Sequence, residues 1–169
     1  MKRTLLFLTL AVAVAAGSAV APRASAASDD NAQINALYQS FATAFRHKDV
    51  DAIMALYPRG QTLFVFDAGP PRQHVGWDDY RKDWVGFFGS MKGSPTFSIG
   101  DLGVTISGDV AYTHSIQRVT ATVGKKTMTA NVRVTDVLRK MDGKWLIVQE
   151  HVSVPVDFNT LKPDLLSKP

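Results

Sequence analysis

The chain has 169 residues, no cysteine, 46% hydrophobic residues and a formal charge of +4. Without Cys it has no disulfides, thiol nucleophiles or thiolate metal sites, so a hydrophobic core alone must hold it. Of the 19 Lys and Arg set against 15 Asp and Glu, three (Lys2, Arg3, Arg23) lie in the first 26 positions, where there is no acid. The remainder carries +1 and lacks a Lys/Arg cluster interleaved with stacking aromatics, which argues against a nucleic-acid partner.

Lys2 and Arg3 precede an apolar run over 5–16 and the small-residue site Ala24-Ser25-Ala26. This order reads as a secretory signal peptide cleaved after Ala26, giving a periplasmic or secreted protein. The run is too short for the ~20 residues that cross a bilayer, so no membrane association is expected after cleavage. One domain over 27–158 and a polar tail over 159–169 follow.

Ile34, Leu37, Tyr38, Phe41 and Phe45 recur at helical spacing with a single apolar stripe. Arg46, His47 and Lys48 suit the negative end of that helix. Asp49 reads as the N-cap of a short second helix over 50–56, ended by Pro58-Arg59-Gly60. A β-like run over 61–66 is broken by Gly69-Pro70-Pro71, and Trp77, Tyr80, Trp84, Phe87 and Phe88 mark an amphipathic helix over 77–91. After Gly93-Ser94-Pro95 the pattern turns to strands over 96–106, 109–122, 127–140 and 144–154. Their turns fall at Ser107-Gly108, Gly124-Lys125 and Asp142-Gly143. Helices first and an antiparallel meander afterwards predict an α+β fold.

A two-residue Asp142-Gly143 turn sets Asp136 opposite Gln149, Val134 opposite His151 and Thr135 opposite Glu150. Alternation then puts Asp136, Gln149 and His151 on one otherwise apolar face. Such a group can position and protonate a ligand oxygen, or it can be a satisfied polar cluster that fixes register. Gln117 joins this face opposite Val132 through the Gly124-Lys125 turn. On the other face Arg133 is diagonal to Glu150, the chain's one Glu, which suggests a cross-strand ion pair or a carboxylate-binding Arg. Asp67, beside Phe64 and Phe66, is a candidate general base or a turn residue before the prolines. His47, His74, His114 and His151 are scattered without metal-ligand spacing, so neither metal nor cofactor is expected.

Three segments carry a family resemblance: FRHKDVDAIMALY over 45–57, HVGWDDY over 74–80 and DGKWLIVQEHVSVP over 142–155. In this order they resemble the nuclear transport factor 2-like superfamily, which includes ketosteroid isomerase, SnoaL-like polyketide cyclases and the association domain of calmodulin-dependent kinase. The resemblance implies a curved antiparallel sheet wrapped on N-terminal helices, a cone-shaped apolar pocket and a homodimer. Asp67 resembles the isomerase's proton-abstracting aspartate, and Asp136 approximates its acidic oxyanion donor. The family's oxyanion tyrosine corresponds to Phe41, with Tyr38 one turn earlier, which argues against steroid isomerisation. The leading expectation is a protein that binds a small, largely apolar molecule through Tyr38, Phe41, Phe66, Trp77, Trp84, Gln117 and Gln149. The alternatives are an isomerase, cyclase or dehydratase acting on a carbonyl compound through Asp67, Asp136 and His151, or a ligand-free dimerisation module.

Overall fold

The computed structural model describes residues 23–168; residues 1–22, most of the expected leader, lie outside the described residues. Helix α1, Arg23–His47, buries the expected stripe from Ile34 to Phe45. Lys48 ends it in the left-handed region at φ 55°, donating its N–H to the Phe45 carbonyl. Asp49 then caps α2, Val50–Met54, by accepting from Ala52 N at 2.9 Å. Short strands β1, Phe64–Phe66, and β2, His74–Val75, lead into α3, Trp77–Ser90. Gly76 enters α3 at φ 86°, a left-handed backbone that favours glycine.

Four long strands follow: β3, Met91–Ser107; β4, Val110–Val123; β5, Lys126–Met141; and β6, Lys144–Ser153. The sheet runs β2-β1-β6-β5-β4-β3, with β1 parallel to β6 and the other pairs antiparallel. The helices pack against its inner face, and Phe41, Phe45, Trp84 and Phe97 mesh there in edge-on and stacked contacts. This is the expected α+β architecture of a curved sheet on helices. Among the described residues no helix is long and apolar enough to cross a membrane.

Strand β3 begins earlier than expected and includes Pro95. The pairing is irregular between Lys92 and Thr96, which lets a residue without an N–H stay in the strand. The tail also differs from a plain surface segment. Strands β7, Val156–Asp157, and β8, Lys162–Pro163, pair as a ribbon, and Leu165 O accepts from Asn131 N at 2.7 Å. At the other end of the sheet Lys140 and Trp145 hold the Asp30 carboxylate at 2.6 and 3.0 Å, tying α1 to the β5–β6 hairpin.

The β4–β5 register places Gln117 opposite Val132 as the turn requires. The β5–β6 register does so only in part. Asp142 and Gly143 both have positive φ (50° and 78°), and pairing from Met141–Lys144 to Leu138–Ile147 obeys the two-residue turn. An extra residue then enters β6 at Val148, so Val137 pairs Gln149, Asp136 pairs Glu150 and Thr135 pairs His151. A single bulged residue exchanges the two faces of everything beyond it.

Candidate active site in the cone

A cavity of about 580 Å³ opens between the helices and the inner face of the sheet. Its apolar wall includes Phe41, Phe45, Trp84, Phe97, Val119 and Val132, and Pro163 and Leu165 of the tail complete it. The polar side chains on the wall are Asp67, His74, Tyr80, Lys82, Asp83, Gln117 and Glu150.

Glu150 is 3% exposed and receives two tyrosine hydroxyls, Tyr57 at 2.8 Å on Oε2 and Tyr80 at 2.5 Å on Oε1. Its cross-strand partner Asp136 is 1% exposed and accepts from Tyr38 at 2.6 Å on Oδ2. Tyr38 also contacts the Thr113 hydroxyl. Burial pushes the Glu150 carboxyl up to about 7, with the Asp67 charge adding to it and the tyrosine hydroxyls opposing. Burial and then the Glu150 charge raise Asp136 well above the carboxylate range. Burial likewise raises Tyr38, Tyr57 and Tyr80, so all three remain hydroxyl donors. Asp136 Oδ1 is buried without a hydrogen-bond acceptor role among the described residues. A proton on Asp136 relieves the repulsion between the two facing carboxyls, whose pKa values both lie above the ordinary carboxylate range.

A second group lies elsewhere on the wall. His74, 4% exposed on β2, places Nδ1 3.2 Å from Asp79 Oδ2 and Nε2 3.7 Å from Asp83 Oδ1. One donor atom from each of Asp67, His74 and Asp83 lies within 4.8 Å of the others. Asp79 and Asp83 stand one turn apart on α3, and Asp67 follows β1 directly, so three elements converge here.

A model of the SnoaL-like domain matches residues 34–157. The chain belongs to the SnoaL-like domain family. No curated protein matches it. Among solved structures it is similar to a nuclear transport factor 2-like protein of unknown function from Pseudomonas putida KT2440, 28% identical over 84% of this chain and 98% of that one, with a TM-score of 0.75. It is 25% identical to a ketosteroid isomerase-like protein from Erwinia carotovora atroseptica SCRI1043, over 72% and 93% of the chains, with a TM-score of 0.61. A nuclear transport factor 2-like superfamily protein from Salmonella enterica serovar Typhimurium LT2, 17% identical over 78% and 95%, shares the fold at a TM-score of 0.70.

Within this SnoaL-like domain, Asp67, Phe41, Trp84 and Gln117 of the expected site line the cavity. Asp136 and Tyr38 lie on the inner side too, bonded to one another rather than lining the wall. Tyr38 therefore does not replace a hydroxyl at Phe41: its O–H is committed to Asp136. Four expected residues sit elsewhere. The bulge at Val148 turns Gln149 and His151 to the outer face, where His151 is exposed and meets the Phe66 ring edge-on at 5.6 Å. Phe66 points outward with it because the parallel β1–β6 register pairs the two. Trp77 is buried below α3, donating Nε1 to Met54 O at 2.8 Å under the Arg59 guanidinium. The expected Arg133–Glu150 pair is also absent among the described residues: Arg133 is exposed opposite Ser153, and Glu150 faces inward. The sequence reading missed Glu150, Tyr57, Tyr80, His74 and Asp83 as site residues. One signal was available for Glu150, a lone acid inside the apolar closing strand.

Proposed function

We propose that this SnoaL-like protein is exported and takes up a small, largely apolar molecule in its cone. The observation that carries the reading is the cavity of about 580 Å³, an aromatic and aliphatic wall with a few convergent polar groups. Trp84 supports it further: its indole Nε1 is buried without an acceptor among the described residues, and an acceptor on the bound molecule would satisfy it. The charged, short-apolar, small-residue order of the first 26 positions supports export. Exposed Val110, Tyr112 and Ile116 on the outer face of β4 support pairing of two copies.

Native mass spectrometry of the protein isolated from its own periplasm tests this reading. A dimer carrying a discrete extra mass, lost in a cavity-filling Val132→Trp variant, is expected. An empty wild-type protein, or a mass retained by the variant, refutes it.

A second reading, acid–base chemistry on a carbonyl compound in the same cone, is favoured by one observation: the buried Glu150 carboxyl reaches the wall, where burial pushes it up to about 7. Glu150 would take the proton α to the carbonyl as the C–H electron pair moves to form an enolate. It would then return that proton to another carbon, or the enolate would expel a β-leaving group. The Gln117 amide is one available oxyanion donor, since its contact with Ser115 is long at 3.4 Å, and the unpartnered Trp84 Nε1 is another; Phe41 offers none. Asp136 keeps its proton and holds Glu150 rather than touching the substrate. Glu150→Gln abolishes turnover and keeps ligand affinity if this holds; unchanged turnover removes Glu150 as the base.

A further inference from the structure

Neither reading uses His74 and Asp83. We propose that Asp67, His74 and Asp83 form a binding site for one divalent first-row transition cation such as Zn²⁺. The donor set is one imidazole and two carboxylates without thiolate, which suits Zn²⁺ or Mn²⁺ over soft Cu(I). The donor atoms lie within 4.8 Å of one another, so bonds of about 2.0–2.2 Å to a common centre need only a small contraction.

The imidazole is prepared for this role. It is 4% exposed, yet its Nε2 makes no hydrogen bond among the described residues and opens on the cavity beside Asp83. Nδ1 is taken by Asp79 Oδ2 at 3.2 Å, and Val75 N fixes the same oxygen at 3.3 Å. A carboxylate on Nδ1–H holds the tautomer whose Nε2 lone pair faces a metal, the usual outer support of a metal-bound histidine. Charge points the same way. Asp67, Asp79 and Asp83 surround one imidazole, and Lys82, the cation on the cavity wall, is exposed and makes no ion pair among the described residues. Three protein ligands leave a position open towards the cone, where an oxygen of a bound molecule can complete the shell.

The test is isothermal titration of ZnCl2 into chelator-treated, tag-free protein lacking residues 1–26. One Zn²⁺ per chain is expected. Asp83→Asn and Asp67→Asn, both at partly exposed positions, should each weaken binding more than tenfold, and Asp79→Asn by about 10–100-fold through the supporting contact. Exposed Asp51→Asn should bind as wild type. Melting curves in chelator establish that each variant is folded, and the His74 Nε2 resonance should move on Zn²⁺ addition. Substoichiometric binding by the wild type, binding undiminished in both Asp67→Asn and Asp83→Asn, or a His74 resonance that stays in place overturns the site. The inference does not depend on which molecule fills the cone.

Discussion

Replacing Glu150 by Gln isolates the electrostatics of the buried acid pair. The wild-type carboxyl ionises near 7 in the folded protein against an ordinary 4.5. The folded state therefore binds this proton more tightly than the unfolded chain. Its contribution is fully present below about 4.5, declines as pH rises and is gone above about 7. The gap between 4.5 and about 7, at about 1.4 kcal/mol for each pH unit, is about 3 kcal/mol. For a domain of this size each kcal/mol moves the melting temperature by about 3 °C, so the total is about 10 °C. Gln keeps the side chain's shape and an acceptor for one tyrosine, and it does not ionise. Asp136 shifts in the same direction and owes part of its shift to the Glu150 charge, so both proteins lose stability with pH, and their difference reports the Glu150 carboxyl together with its effect on Asp136. Calorimetric melts of wild type and Glu150→Gln at pH 4.5 and 8 should show the gap moving by about 10 °C in favour of the variant as pH rises. Two parallel curves would mean that Glu150 is ionised normally, and the case for a base poised near neutrality would fail with them.

Tyr38→Phe removes the hydroxyl that Asp136 Oδ2 accepts, and should cost about 1–3 kcal/mol in urea unfolding without enlarging the cavity, since Tyr38 does not line it. The larger loss should appear at high pH, where the raised Asp136 carboxyl is more often charged. Deleting residues 159–169 removes Pro163 and Leu165 from the cavity wall. It should speed ligand dissociation at least tenfold by stopped-flow fluorescence while moving the melting temperature little, because the main sheet and helices keep their contacts.

The parts of the fold that are local in sequence were legible. The stripe from Ile34 to Phe45, the Asp49 cap and the Asp142-Gly143 turn each depend on residues a few positions apart, and each appears where the pattern puts it. Gln117 was placed correctly by counting from the Gly124-Lys125 turn, because β4 and β5 pair without a break. The same counting failed across β5 and β6. The run Trp145-Leu-Ile-Val-Gln-Glu150 contains no Gly or Pro to mark a bulge, and Val148 is as suited to a regular strand as its neighbours.

The reason for that bulge is to be sought in what it places inside. In regular register the inner face would receive Gln149 and His151, and Glu150 would sit outside with Arg133. With one residue added, Glu150 enters opposite Asp136 and meets Tyr57 and Tyr80, which come from 93 and 70 positions away. A buried carboxyl pair costs free energy unless it is hydrogen-bonded and shares a proton, and it does nothing for the core that two apolar residues would not do better. The sheet instead departs from its regular pairing to bring the chain's one glutamate to a wall of the cavity, with three tyrosine hydroxyls in place around the pair. A local rule broken in favour of a costly polar group beside a cavity is what a site looks like when function, rather than stability, sets the register.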